Sequence, residues 1–173
     1  NPITPVFDVS GGTGHGANGG HSGTVLMSAR GDTGSITNYA TIYANGGNGT
    51  EGGEGGVILL DANAPLPWPP IVGTPGGPVD NHGDLFANGG DSTVYQGGTA
   101  GSIILRTHGD DAGDDVTNSG NLTANGGNSN SGLGGSGDAN VNFVYGKDAN
   151  GAGVGPGRFN DGTIVLDCGV DVA

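Results

Sequence analysis

The chain has 173 residues and a mass of 16.7 kDa, and 41 of those residues are glycine and nine are proline, a share at which chains without a repeat stay disordered. Four Lys and Arg stand against 17 Asp and Glu, a net charge of -13, which excludes nucleic-acid and anionic-membrane partners because both need clustered cations. Large apolar residues are too sparse for a helical bundle or a doubly wound α/β domain, and no apolar run approaches the roughly 20 residues of a membrane span.

From the N-terminus, VFDVSGG at 6–12 is a half-copy of a motif that recurs in full three times: ITNYATIYANGG at 36–47, VDNHGDLFANGG at 79–90 and VTNSGNLTANGG at 116–127. The shared frame is an aliphatic residue, Asn two places on, a second aliphatic four places later, then Ala-Asn-Gly-Gly. A period of two puts Ile36, Asn38, Ala40, Ile42 and Ala44 on one face of a strand. A second, β-branched and Gly-bounded motif appears at 23–31, 56–64, 101–109 and 162–169. Its inward pairs are Val25 and Met27, Ile58 and Leu60, Ile103 and Leu105, and Ile164 and Leu166. Each unit is thus expected to supply two strands.

Between the two motifs lies a Gly-rich arc with glycine at every third position, as in Gly46, Gly49, Gly52 and Gly55. Three residues per turn is the polyproline-II repeat, and glycine on one ridge lets neighbouring backbones approach and pair. Flexible linkers are the competing reading. Two stretches leave the frame. Residues 65–78 hold six prolines and the only Trp, Trp68, and 128–161 contain VNFVYG, which reads as an extra strand inserted in the fourth arc.

The expected fold class is all-β: a short parallel β-solenoid of about four coils, with Gly-rich polyproline-II-like arcs between strands. It forms one repeat domain over 1–173, with units at about 6–31, 36–64, 79–109 and 116–169 and insertions at 65–78 and 128–161. The ANGG segments, Gly-Gly loops and GxIxL strands resemble the Gly/Asn-rich repeat regions of large secreted bacterial surface proteins. The nearest architecture is the right-handed β-helix of the filamentous-haemagglutinin or autotransporter-passenger type. This resemblance covers most of the chain; it implies an extracellular adhesive or structural role and transfers no functional residue.

Sites of chemistry are few. Nucleophile elbows, P-loops, dinucleotide fingerprints and HExxH are absent. His15 and His21 could share a face of an arc, as could Glu51 and Glu54, but solvated loop positions account for all four. Arg30 and Arg106 flank Asp61 on second-motif strands, a weak sketch of a lyase groove. Calcium is the cofactor expected, at Asp110, Asp111, Asp114 and Asp115, four carboxylates within six residues of a turn; a bare acidic turn competes with that reading. The Asn-Gly steps at Asn45, Asn88 and Asn125 suggest left-handed or turn geometry. Asn48 and Asn121 begin N-glycosylation sequons. The single Cys168 cannot form an internal disulfide; it is a buried apolar group or an intermolecular link.

A chain starting at Asn1 without a signal-like segment reads as a processed, exported protein or an excised piece of one, located outside the cell or on its surface. A short solenoid leaves strand edges unpaired at both ends. Ile3, Val6, Phe7 and Val9 at one end, and Ile164, Leu166 and Val170 at the other, are the candidate assembly strands. Their contact makes a head-to-tail homopolymer if it does not close. The function expected is therefore a non-enzymatic structural protein that partners itself. The alternative is a carbohydrate- or surface-binding module of a large adhesin using Trp68 as its contact. A polysaccharide-degrading enzyme ranks last.

Overall fold

The computed structural model describes residues 4–30, 34–63, 77–107 and 115–130, and the backbone of strands at 140–144, 158–160 and 164–165. Those residues contain thirteen strands and no helix. In chain order the strands are β1 (Val6–Asp8), β2 (Thr24–Arg30), β3 (Ile36–Asn38), β4 (Thr41–Tyr43), β5 (Val57–Asn63), β6 (Val79–Asn81) and β7 (Leu85–Phe86). They continue with β8 (Ser102–Thr107), β9 (Val116–Asn118), β10 (Leu122–Thr123), β11 (Asn140–Val144), β12 (Arg158–Asn160) and β13 (Ile164–Val165).

Successive strands visit three sheets in strict rotation. The first sheet runs β1-β4-β7-β10-β13, the second β11-β8-β5-β2 and the third β12-β9-β6-β3, with every pairing parallel. Each strand therefore pairs with the strand three places later, one sequence repeat on. The arrangement is compatible with a solenoid-like parallel β fold.

Constant register turns the repeat into columns of like residues. Phe7, Ile42, Leu85, Leu122 and Ile164 align in the first sheet, and Met27, Leu60, Leu105 and Phe143 in the second. Ile42, Leu60, Leu85, Leu105 and Leu122 are fully buried, each one strand spacing from an apolar residue above and below. Ala44, Ala87 and Ala124, each immediately after a first-sheet strand, are fully buried in the same core.

Two expectations about the strands are corrected. The twelve-residue motif is not one strand but two, on different sheets, because the chain bends at Asn38–Ala40. Asn38 Nδ2 donates to the Ala40 carbonyl at 3.0 Å and Asn38 Oδ1 accepts the Ala40 N–H at 3.0 Å, so the side chain satisfies the backbone that the bend unpairs. The units at 36–64 and 79–109 therefore have three strands each. In the fourth unit, VNFVYG is not an extra strand: β11 pairs with β8 in the second sheet, while Ile164 of the 162–169 segment pairs with Leu122 in the first. The insertion at 65–78 lies outside the described residues apart from 77–78.

The glycine arcs are hydrogen-bonded to one another rather than loose. Gly47 N–H donates to Gly20 O, Gly53 to Gly47, Gly90 to Gly53, Gly98 to Gly90 and Gly127 to Gly98, each at 2.8–2.9 Å, a zigzag that stitches successive units. Glycine is required here by contact. A Cβ on Gly53, Gly90 or Gly98 would fall inside the contact distance of a carbonyl oxygen on a neighbouring arc. The Asn-Gly steps are corrected by the same fact: among the described residues only Gly16 has a positive φ, at 74°. Gly46 and Gly89 are glycine because another backbone occupies the place of the side chain.

Candidate functional site

One end of the three sheets is open, and its chemistry follows from register. β1, β2 and β3 are edge strands there. Phe7 stands in the inward column yet is 50% exposed, whereas Ile42, Leu85 and Leu122 below it are at 0%. Val9, Val25, Met27 and Ala29 are likewise only half-buried, although Ile58, Leu60 and Ala62, which align with the last three, are fully buried. β3 differs: Ile36 and Asn38 are buried. The opening therefore lies over the first and second sheets, an apolar surface backed by unpaired strand edges.

Polarity is written into the side chains beside it. The buried Asn38, Asn81 and Asn118 form a ladder in which Asn38 Nδ2 donates to Asn81 Oδ1 at 2.7 Å and Asn81 Nδ2 to Asn118 Oδ1 at 2.6 Å; the backbone places Asn160 next in register. Outside, Asn45 Oδ1 accepts the Asn88 N–H and Asn88 Oδ1 the Asn125 N–H, both at 2.9 Å. Within each ladder the rungs point one way, the inner donating toward later repeats and the outer toward earlier ones, so the two ends of the stack are chemically different.

Charge near the opening is slight. The Asp8 carboxyl is held below its usual 3.8 by hydrogen bonds from the Ser10 side chain and backbone. A lowered pKa means the stabilisation is present above 3.8 and is lost as pH falls through the folded value. Further along, Arg106 grips the buried Asp61 through Nε at 2.9 Å and Nη2 at 2.8 Å, which raises the guanidinium pKa, mainly by those hydrogen bonds. That bidentate pair ties β5 to β8, while Arg30 stands opposite Asn63, one same-face position along from the Ser28 that pairs with Asp61.

The remaining sequence candidates are distributed as follows. Val6, Phe7 and Val9 are at the open end, and Val6 is 59% exposed. Ile164 lies on β13, the far edge of the first sheet; Ile3, Leu166, Val170, Cys168 and Trp68 are outside the described residues. So are Asp110, Asp111 and Asp114, while the Asp115 carbonyl accepts the Val79 N–H at 2.9 Å. His21 Nδ1 is 3.5 Å from Glu54, and Asn18 Nδ2 donates to Glu51 at 2.9 Å, all on exposed arcs. With Gln96 and Thr99 they line a shallow polar cleft. Among the described residues no group of three or more His, Cys, Asp or Glu is placed to hold a metal.

Sequence reasoning missed β2 as an exposed edge, including the outward Leu26 at 61% exposure, although the half-copy at 6–12 was a sign of an incomplete first unit. It also missed the aromatic stacks: Tyr39 on His82 with ring centres 4.7 Å apart, and Tyr43 on Phe86 at 5.0 Å. No family model, curated protein or solved structure matches this chain.

Proposed function

We propose that the chain is a three-sided parallel β-solenoid with polyproline-II-like arcs, and that it serves as a non-enzymatic extracellular structural subunit assembling head to tail into a filament. The observation that carries the reading is Phe7, half-exposed in a column in which Ile42, Leu85 and Leu122 are fully buried. An apolar core cut open across unpaired parallel edges is covered best by another section of the same solenoid. Because the two ends differ, that contact is heterologous and propagates without closing. The acidic surface keeps fibres apart laterally, and calcium at Asp110, Asp111, Asp114 and Asp115 is the counterion proposed to relieve their repulsion.

Electron microscopy of the purified chain, with and without a calcium chelator, tests this. Long uniform fibres are expected, and shortening in chelator would identify calcium as a clasp. Monodisperse short rods in both conditions would reject assembly. They would favour the second reading, a carbohydrate-binding adhesin module, for which the polar cleft beside Glu51 and Glu54 offers hydrogen-bonding groups.

A further inference from the structure

We propose that the recurring Asn-Gly steps are self-modification sites held silent by the stack: each reacts to aspartate or isoaspartate only when its arc detaches, and the isoaspartate product bars that arc from returning. The inference is independent of head-to-tail assembly, since it concerns arcs within one chain.

Asn-Gly is the dipeptide most open to this chemistry, because glycine puts no side chain in the way of its own nitrogen. That nitrogen gives up its proton and attacks Asn Cγ. The new C–N bond closes a five-membered imide as the Cγ–Nδ2 bond breaks, and Nδ2 takes up a proton and leaves as ammonia. Water then opens the imide at either carbonyl. One opening gives aspartate; the other gives isoaspartate, in which the main chain runs through the former side chain and is one carbon longer.

The stack engages both reacting groups. On the nucleophile, Gly46 N–H donates to Asn88 O at 2.8 Å, Gly89 N–H to Asn125 O at 2.8 Å and Gly49 N–H to Asp91 O at 3.1 Å. On the electrophile, Asn45 Oδ1 and Asn88 Oδ1 are the acceptors of the outer ladder, and Asn48 Oδ1 accepts the Asp91 N–H at 2.8 Å. Ring closure leaves the glycine nitrogen with no hydrogen, so it strips the next arc's carbonyl of its donor. The reaction therefore waits for the arc to open.

The two products differ in fit. Aspartate keeps the acceptor: Asp91 already holds such a place, its Oδ1 accepting the Asn128 N–H at 2.8 Å in the column that begins with Asn48. Isoaspartate displaces the glycine that follows it by the extra carbon. Gly46 and Gly89 have no room for that, since even a Cβ there would strike the carbonyl of Gly53 or Gly98. An arc that opens and reacts in this way cannot be reseated.

Three measurements decide it. The purified full chain and synthetic peptides spanning 42–51 and 85–92 are incubated in one buffer, and deamidation at Asn45, Asn48 and Asn88 is followed by mass spectrometry. The full chain is expected to react at least about tenfold more slowly, the factor that an opening free energy of about 1.4 kcal/mol imposes. Equal rates overturn the proposal. Next, Gly98→Ala, which crowds an arc against the Gly53 carbonyl, is expected to bring the rates at Asn45 and Asn88 towards those of the peptides, whether it loosens the fold or abolishes it. Gly12→Ala, with nothing near its Cβ, is expected to leave them unchanged. Rates that Gly98→Ala does not move overturn the dependence on arc opening. Last, the full chain is deamidated in urea, refolded and treated with protease. Isoaspartate at Asn45 and Asn88 is expected only in the digested fraction, and aspartate in the resistant one; isoaspartate in both at its starting share overturns the exclusion.

Discussion

At the residue scale, this fold depends on a few polar and backbone contacts that tolerate no change of shape. Asn81 is fully buried, accepts from Asn38, and donates to Asn118 Oδ1 and to the Gly83 carbonyl at 2.7 Å. Removing it deletes three buried hydrogen bonds, with Asn38, Asn118 and the Gly83 carbonyl, and each buried bond lost without replacement costs about 1–3 kcal/mol. Asn81→Ala is expected to lower stability by about 3 kcal/mol or more in urea titration, whereas Asn121→Ala, at an exposed position of the same fold, is expected to change it by less than about 0.5 kcal/mol. The glycines divide in the same manner. A Cβ at Gly98 meets the Gly53 carbonyl, while one at Gly12 meets nothing within 4 Å. Gly98→Ala should therefore destabilise by about 1–3 kcal/mol through overpacking against backbone. Gly12→Ala should be neutral or stabilise by up to about 1 kcal/mol, because it restricts the unfolded chain. Equal effects from the two substitutions in thermal melts would show that the arcs are loose.

At the element scale, the edge strands carry the functional argument. β1 has three residues and β2 seven, and both present an inward set that is not covered. Because Phe7 is already half-exposed, Phe7→Asp removes little from the isolated subunit but places a charge in the joint. The expected result is loss of fibres in sedimentation and electron microscopy, with a melting temperature of the unassembled chain within a few degrees of the parent. A variant that still polymerises normally would remove β1 from the joint. The stack of Tyr43 on Phe86 follows from register, since the two are paired across β4 and β7, and Tyr39 on His82 stands one residue past the paired Asn38 and Asn81.

At the scale of the whole molecule, charge opposes assembly and apolar burial drives it. A net charge of -13 on a chain of this size repels its own copies, and raising ionic strength from 0.01 M to 0.15 M shortens the screening length from about 30 Å to about 8 Å. Light scattering should therefore show more and longer fibres at the higher salt. Calcium at millimolar concentration should exceed sodium chloride of equal ionic strength if the acidic turn binds it. Replacing Asp110, Asp111 and Asp114 with Asn should abolish that excess and leave the salt response in place.

Much of this protein was legible from residue spacing. The period of two at Ile36, Asn38, Ala40, Ile42 and Ala44 identified the buried face, and all five are buried. The period of three at Gly46, Gly49, Gly52 and Gly55 identified glycine as a packing requirement, because a Cβ at each of these would meet another stretch of backbone. These are local signals: side-chain direction repeats along a chain whatever lies opposite it. Tertiary structure alone decided that the twelve-residue motif bends at Asn38, since the alternation of buried and exposed residues continues unbroken through the corner. It alone decided that β11 completes the second sheet while Ile164 belongs to the first, because strand partners lie some forty residues apart and similar aliphatic runs suit either sheet. It alone left Phe7 and Met27 uncovered, for exposure at the end of a stack depends on which neighbour is missing, and a residue's own sequence window contains no record of that.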